Sequence, residues 1–284
     1  MNIKKLMPIP KELGQIPSAP KQLFQKGQNL TDLLEYPRVA IVGSRNVSPY
    51  GRQVTARLAT DLAERGIVIV SGLALGVDCV AHTAALSVGG KCIAVLPSPL
   101  DNIAPTTNRH LAQNIIDGGG VLVSEYEEGS EIFKTSFVAR NRLVAGLANI
   151  VLITEAVQKS GSLHTARFAL EQGKDVLAVP GNITSPTSIG TNNLIKAGAG
   201  SVTSHLDVLH ALGLTEGLKA RKHTPKGRNQ QEQAVIDLLS KGVSEGEELR
   251  IRSQLGITDF SQALTMLEIT GKIQSLGSNH WTLQ

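Results

Sequence analysis

Residues 38–78 read RVAIVGSRNVSPYGRQVTARLATDLAERGIVIVSGLALGVD. Two continuous apolar runs, 39–42 and 67–70, are typical of strands buried on both faces. Residues 50–65 between them predict a helix that stops at Gly66. Together these elements predict a right-handed βαβ unit in which each strand ends in a glycine turn. Ligands of such sheets bind outside the carboxyl ends of the strands, which is where both turns fall, so Gly43 of the first turn and Gly72 of the second are candidate binding residues.

The same alternation of strand and helix continues to residue 212. Further strands are predicted at 91–96, 121–124, 150–153, 175–179 and 201–203, with helices at 76–88, 108–116, 137–148, 162–173, 193–196 and 205–212. This order predicts an α/β fold, an extended Rossmann-like, doubly wound and mostly parallel sheet. The predicted Rossmann-like domain spans residues 38–214.

The segments on either side of this domain have a different character. Residues 1–37 contain five prolines, which predict an extended N-terminal arm packed on the main domain. Residues 215–230 are predicted to be a flexible basic linker. Residues 231–284 show three short helical patterns and a hairpin, the outline of a small C-terminal winged-helix-like domain.

Charge is distributed unevenly along the chain. Residues 1–228 hold 24 Lys and Arg against 17 Asp and Glu, a net +7, whereas residues 229–284 hold 4 against 7, a net −3. A polyanion is therefore expected on the main domain and not on the tail. The sequence has no apolar run long enough to span a membrane and no signal peptide pattern, and its two cysteines lack CxxC spacing. We expect a cytoplasmic protein with reduced thiols.

The first glycine turn, Gly43-Ser44-Arg45, is a candidate anion site. It lacks the GxGxxG pattern of nicotinamide-binding turns, and Ser71-Gly72 gives the second strand no acid at its end. Free backbone N–H groups before a helix still suit a phosphate, and Arg45 adds a permanently charged planar donor. The alternative is that Arg45 forms an ordinary surface salt bridge.

The sequence KTSFVARNR, residues 134–142, is the second candidate. Cations that flank an aromatic side chain suit single-stranded nucleic acid, because bases stack and phosphates pair. The candidate residues on one helical face are Lys134, Phe137, Arg140 and Asn141. The alternative is that Phe137 belongs to the core and that Arg140 or Arg142 pairs with Glu125 or Glu155.

Further phosphate contacts are expected from two turns. Ser160, Gly161 and Ser162 open a helix, where a serine could cap the helix or its amides could hold a phosphate. Asn108 and Arg109 begin another helix after a loop.

His82 and His164 are expected to be ordinary hydrogen-bonded histidines. No catalytic, metal-binding or cofactor-binding motif is found in the sequence.

These motifs resemble, in order along residues 17–212, those of the DprA (Smf) family. The matching blocks are VAIVGSR, IVSGLALGVD, SPLD, FVARNR, KSGSLHTA, AVPGN and LIKAGA. The resemblance implies a domain that binds single-stranded DNA, forms a homodimer and loads the recombinase RecA during natural transformation, with no established enzyme activity. It also implies that Arg45, Lys134 and Phe137 contact the DNA.

The chain departs from the family pattern in three places. Its first 37 residues are too few for the N-terminal helical domain of many family members, Val138 replaces a proline, and Ala104 replaces a tyrosine.

Two other functions compete with DNA binding. One is a nucleotide phosphohydrolase of the lysine-decarboxylase-like type, whose PGGxGTxxE motif is here KSGSLHTA, without the acid. The other is a protein-interaction scaffold with a nucleotide in its pocket.

Overall fold

A computed structural model describes residues 2–214, 225 and 227–283. The chain divides into two compact units, Met1–Arg221 and Lys222–Gln284. Most of the predicted basic linker, including Lys219, Arg221, Lys222 and Lys226, lies outside the described residues. Among the residues that are described, no helix is both long and apolar enough to cross a membrane.

The first unit alternates strands and helices almost throughout. Its strands are β1 (Lys4–Lys5), β2 (Phe24–Gly27), β3 (Arg38–Val42), β4 (Val68–Ser71), β5 (Cys92–Val95), β6 (Val121–Ser124), β7 (Ile150–Ile153), β8 (Val176–Ala178) and β9 (Gly200–Ser201). Its helices are α1 (Lys11–Gly14), α2 (Leu30–Leu34), α3 (Pro49–Ala63), α4 (Val77–Ser87), α5 (Arg109–Asp117), α6 (Lys134–Leu147), α7 (Ser162–Glu171), α8 (Ile189–Lys196) and α9 (His205–Ala211).

The nine strands form one sheet in the order β1-β2-β6-β5-β4-β3-β7-β8-β9. Strands β3 to β9 pair in parallel, and only β1 and β2 run antiparallel to their neighbours. The βαβ unit predicted from residues 38–78 places β3 in the middle, between β4 and β7. The mostly parallel α/β sheet predicted from the sequence is thereby confirmed.

Helices cover both faces of the sheet. Successive residues of β3 point to opposite faces, with Val39 and Ile41 in one apolar cluster and Ala40 and Val42 in the other. The first cluster holds Leu58 of α3, Ala81 of α4, Ile115 of α5 and Val208 of α9, and the second holds Leu13 of α1, Leu33 of α2, Leu143 of α6 and Ala166 of α7. Each fully buried Val, Leu or Ile side chain in these clusters contributes about 1.5–3 kcal/mol.

The N-terminal segment is more regular than the predicted extended arm. Strand β2 joins the sheet beside β6, with Phe24 opposite Ser124, and β1 pairs with β2 in turn. The segment also forms the short helices α1 and α2, and its side chains Leu13, Leu23 and Leu30 are fully buried. Prolines exclude long helices from this segment, but they leave room for one-turn helices and for an antiparallel edge strand.

The second unit contains helices α10 (Gln230–Ser240), α11 (Gly246–Ser253) and α12 (Ile257–Ile269), followed by strands β10 (Ile273–Gly277) and β11 (His280–Leu283). Its own core includes Val235, Leu249, Phe260 and Leu267. The two strands form an antiparallel hairpin whose turn residues Ser278 and Asn279 both have positive φ, as a tight hairpin turn requires. Three helices and this hairpin confirm the predicted winged-helix-like domain.

Candidate nucleic-acid interface

A cleft of about 380 Å³ opens at the carboxyl edge of the sheet. Three segments that are distant in sequence form most of its wall: the turn after β3, the first half of α6 and the turn before α7. The lining residues are Val42, Gly43, Ser44, Arg45, Asn46, Ala74, Asp78, Phe137, Val138, Arg140, Asn141, Val157, Ser160, Gly161, Ser162 and Thr165. The cleft therefore lies at the edge where the sequence predicted a ligand.

Glu155, two residues after the end of β7, holds the turn after β3 in place. Its backbone carbonyl accepts a hydrogen bond from the Ser44 N–H at 2.8 Å, and its Oε2 accepts one from the Ser48 N–H at 2.9 Å. Ser48 then caps α3 by accepting the Gly51 N–H at 3.0 Å. Because Glu155 is only 2% exposed, its carboxylate stabilises this turn from inside the protein and is not available to a ligand.

Arg45 extends from this turn across the ring of Phe137. The guanidinium carbon lies 5.5 Å from the ring centroid, within the range of a cation–π contact. Arg45 is exposed, Phe137 is half-buried, and the described part of the chain places no carboxylate in ion-pair contact with Arg45. Neither the surface salt bridge considered for Arg45 nor full burial of Phe137 is found among the described residues, so both side chains remain available to a ligand.

The turn before α7 forms the opposite wall of the cleft. Ser160 Oγ lies 2.8 Å from Ser162 Oγ, and Gly161 occupies the N-cap position without a side-chain cap. Asn141 Nδ2 donates to the Gly161 carbonyl at 3.3 Å and so connects this turn to α6. The start of α7 thus faces the cleft with the favourable end of the helix dipole for an anion.

Arg140 lies deeper than a surface phosphate ligand would. It is 3% exposed, and its Nη1 donates to the carbonyl oxygens of Gly72 and Val95. Burial lowers the pKa of Arg140 to about 10, partly offset by the nearby Asp78 carboxylate. Burial also raises the pKa of Asp78, against the opposing effects of Arg140 and of hydrogen bonds from the Ala74 and Gly72 amides. At neutral pH Arg140 keeps its positive charge inside the protein.

Four of the residues predicted to bind nucleic acid do not line the cleft. Lys134 is exposed at the start of α6, one helical turn before Phe137. Gly72 lies against the Arg140 guanidinium. Asn108 is 7% exposed and donates to the Leu73 carbonyl at 2.8 Å, and Arg109 is exposed at the start of α5. Asn108 therefore supports the loop after β4, and the binding role proposed for it stays a prediction.

The structure adds residues to the site that sequence reasoning missed. Asn46, Asp78 and Thr165 line the cleft, and Glu155 supports it. The sequence carried a signal for Glu155, since an acid two residues after a buried strand falls at the ligand edge of the sheet. Asp78 gave no comparable signal, because its partners Gly72 and Ala74 are backbone amides.

Two other expectations about charged side chains are settled by the structure. Arg142 pairs with Glu125 at 2.6 Å, as the alternative for the FVARNR arginines anticipated. His82 is fully buried and neither of its ring nitrogens has a hydrogen-bond partner among the described residues, so the expectation of an ordinary hydrogen-bonded histidine is wrong for it. Burial lowers the pKa of His82 to about 3, and the Arg140 charge acts in the same direction.

The fold and the cleft define a class of protein: an open, mostly parallel α/β domain with an anion-accepting, partly aromatic pocket at the ligand edge of its sheet. The chain belongs to the family of DNA recombination-mediator protein A, which matches residues 5–213. A second match, to the DprA winged helix domain, covers residues 219–279. The family resemblance found in the sequence is confirmed.

Curated relatives and solved structures agree with this assignment. The chain is 47% identical over 200 residues to the DNA processing protein DprA of Streptococcus pneumoniae, covering 70% of each chain. It is 43% identical over 203 residues to protein Smf of Escherichia coli, covering 72% of this chain and only 54% of that protein. DNA processing protein A of Helicobacter pylori, whose structure describes its single-stranded DNA binding mode, superimposes with a TM-score of 0.68 at 40% identity, covering 74% of this chain and 95% of that one.

Proposed function

We propose that this protein binds single-stranded DNA as a recombination mediator. The observation that carries the proposal is the pairing of Arg45 with Phe137 in the cleft. A half-buried ring at the cleft can stack a base, and an exposed guanidinium beside it can bind the adjoining phosphate. The similarity to the Helicobacter pylori protein, which is described as binding single-stranded DNA, supports the same substrate.

Each segment of the cleft has a role in this proposal. Arg45 and Lys134 bind phosphates, Phe137 stacks a base, and the Gly161 N–H at the start of α7 donates to a further phosphate. The binding residues come from turns at strand ends and from one helix face, so they suit a strand that can bend between them. We further propose that the protein acts by binding alone, and that it releases the oligonucleotide chemically unchanged.

Single strands are expected to bind more tightly than duplexes, with little base preference. A duplex keeps its bases stacked on each other, so it cannot place a base on Phe137 without unpairing it. The test is competition: a labelled oligo-dT bound to the protein is challenged with unlabelled oligo-dT or with an equal mass of duplex. Complete displacement by the duplex would reject the proposal, and recovery of intact oligo-dT after incubation tests the absence of a chemical step.

We also propose that the protein loads a RecA-type recombinase onto single-stranded DNA. The family match to a recombination mediator supports this role. The expected result is faster filament formation on DNA already coated with single-strand binding protein, measured by the recombinase's ATP hydrolysis. The Arg45→Ala variant is the matched control, because it should bind too little DNA to accelerate loading. Equal acceleration of filament formation by the variant and the parent protein would show that loading does not depend on DNA binding by Arg45, and would contradict the proposal.

The homodimer implied by the family resemblance is part of the same proposal. A mediator with two copies of the cleft would hold one strand at two points, which raises the effective concentration of DNA at the second cleft. Sedimentation of the purified protein measures the assembly directly, and a monomer at micromolar concentration would contradict it.

A further inference from the structure

Arg140 joins three parts of the molecule that meet at the cleft. Its guanidinium on α6 reaches the carbonyl of Gly72, just after β4, and the carbonyl of Val95, the last residue of β5. Its Nε–H donates to Asn141 Oδ1 at 3.2 Å. These bonds use the Nε–H and both Nη1 hydrogens, and the residue is only 3% exposed, so Arg140 could offer a phosphate only its Nη2 group.

Asp78 completes the arrangement from α4. Its Oδ2 accepts the Gly72 N–H at 3.0 Å and the Ala74 N–H at 3.3 Å, and the residue is 6% exposed. The loop after β4 is therefore held by Asp78 through its amides and by Arg140 through a carbonyl. A Cβ at position 72 would lie 2.5 Å from the guanidinium carbon, so a glycine there allows this close packing.

The same arrangement reaches the groups proposed to bind DNA. Phe137 lies three residues before Arg140, one helical turn away on the same side of α6. Asn141, which accepts from Arg140, donates in turn to the Gly161 carbonyl. Displacing the Arg140 side chain would thus loosen the first half of α6, which carries Phe137, and its connection to the turn before α7.

We propose that Arg140 and Asp78 form a buried brace that positions Phe137 and the turn at residues 160–162 for the DNA strand, and that Arg140 is a positioning residue and not a phosphate ligand. The inference rests on the proposed binding of single-stranded DNA. It concerns how the shape of the cleft is maintained. It also means that Asp78, a carboxylate in the cleft, favours the binding of a polyanion.

Asp78→Ala removes the negative charge together with both acceptor oxygens, so its effect shows whether the cleft acts on DNA by charge alone or through the brace. If Arg140 and its surroundings act on the DNA by charge alone, removing a negative charge from the cleft strengthens binding. If Asp78 braces the site, the same substitution weakens binding although the net charge becomes more positive. We expect a loss of about five- to 150-fold, the amount that follows when a base no longer stacks on an aromatic ring. Unchanged or tighter binding would overturn the proposal.

A double-mutant cycle with Phe137→Ala tests the connection between the brace and the ring. If Arg140 positions Phe137, then Arg140→Gln should cost little further affinity once the ring is gone. If Arg140 binds a phosphate directly, the two losses should multiply, and Arg140→Gln alone should lower the slope of log Kd against log salt by about 0.7. Arg140→Lys keeps the charge but loses the planar set of donors, so it should behave as Arg140→Gln does.

Folding is checked for each variant by circular dichroism and thermal unfolding, since an unpaired buried charge is destabilising. If Asp78→Ala does not fold, Asn141→Ala decides, because that side chain is half-buried and uncharged. A non-additive cycle of Asn141→Ala with Phe137→Ala supports the brace, and an additive one overturns it. Lys134→Ala is the control variant, because Lys134 lies outside the brace. The two proposals fail in different ways: if the parent protein does not bind oligo-dT at all, the proposed function has failed and not the brace.

Discussion

Arg45→Ala is expected to weaken binding of oligo-dT by about 10- to 100-fold at physiological salt, the loss typical of a hydrogen bond to a charged group. The substitution removes a phosphate contact and also the guanidinium that lies 5.5 Å over the Phe137 ring. Because Arg45 is exposed and has no carboxylate partner among the described residues, its removal should leave the stability of the fold almost unchanged.

Salt dependence divides the roles of the neighbouring side chains. Each lost phosphate contact lowers the slope of log Kd against log salt by about 0.7 for single strands, so Arg45→Ala and Lys134→Ala should both show this change. Phe137→Ala should cost about 1–3 kcal/mol while the slope stays as in the parent protein. The measurement is fluorescence anisotropy of a labelled oligo-dT over a series of salt concentrations.

The chain offers a closely matched control. Arg167 also lies over a phenylalanine, with its guanidinium carbon 5.4 Å from the Phe168 ring, but it pairs with Glu171 at 3.3 Å and does not line the cleft. Arg167→Ala removes the same charge and the same kind of ring contact, and it should change neither the affinity nor the slope. Equal slopes in the parent, Arg45→Ala, Lys134→Ala and Phe137→Ala proteins would reject the division of roles.

The isolated tail, residues 229–284, is expected to show no binding of DNA at physiological salt. A winged helix that reads DNA needs cations on the helix that enters the major groove. Helix α12 has no Lys or Arg, and its exposed side chains include Asp259 and Glu268. On α11, Arg250 pairs with Glu247 at 2.5 Å and Arg252 pairs with Glu248 at 2.7 Å. We therefore propose that the tail contacts protein or regulates the first unit.

Two fragments of the chain test this proposal, residues 1–228 and residues 229–284. The cut leaves the basic residues of the predicted linker with the first fragment, so that any contact they make with DNA is not assigned to the tail. The second fragment contains the apolar core around Leu249 and Phe260, and we expect it to fold. Residues 1–228 should keep nearly all single-strand affinity. A mobility shift by 229–284 at micromolar concentration would show that the charge argument is wrong.

Local patterns predicted the strands, the helices and the edge of the sheet that carries the site. Continuous apolar runs such as β3 and glycine turns such as the one at Gly43 are local in sequence, so a single chain reveals them. They also placed Arg45 at this edge, because the carboxyl ends of parallel strands meet there, whereas Phe137 was a candidate through its cationic neighbours and the family resemblance. The cation–π contact between the two side chains depends on rotamers, which no local pattern specifies.

Long-range packing decided what the sequence could not predict. Helical spacing put Arg140 on the same face as Phe137, yet only the folded chain shows that its guanidinium turns inward to the Gly72 and Val95 carbonyls. The N-terminal segment likewise has no strand signal of its own, and its pairing with β6 depends on a partner about a hundred residues further along the chain. Backbone partners of this kind leave no pattern in the sequence.

The antiparallel addition of β2 and β1 to the sheet has a consequence for solubility. Without them, β6 would present a row of unpaired backbone groups with Val121, Leu122 and Val123, a ready template for aggregation through strand pairing. With them, the outermost strand on that side is two residues long and both residues are lysines, which repel a second copy of the same edge. Since β2 is synthesised well before β6, a nascent chain holds this protective strand ready when its partner emerges.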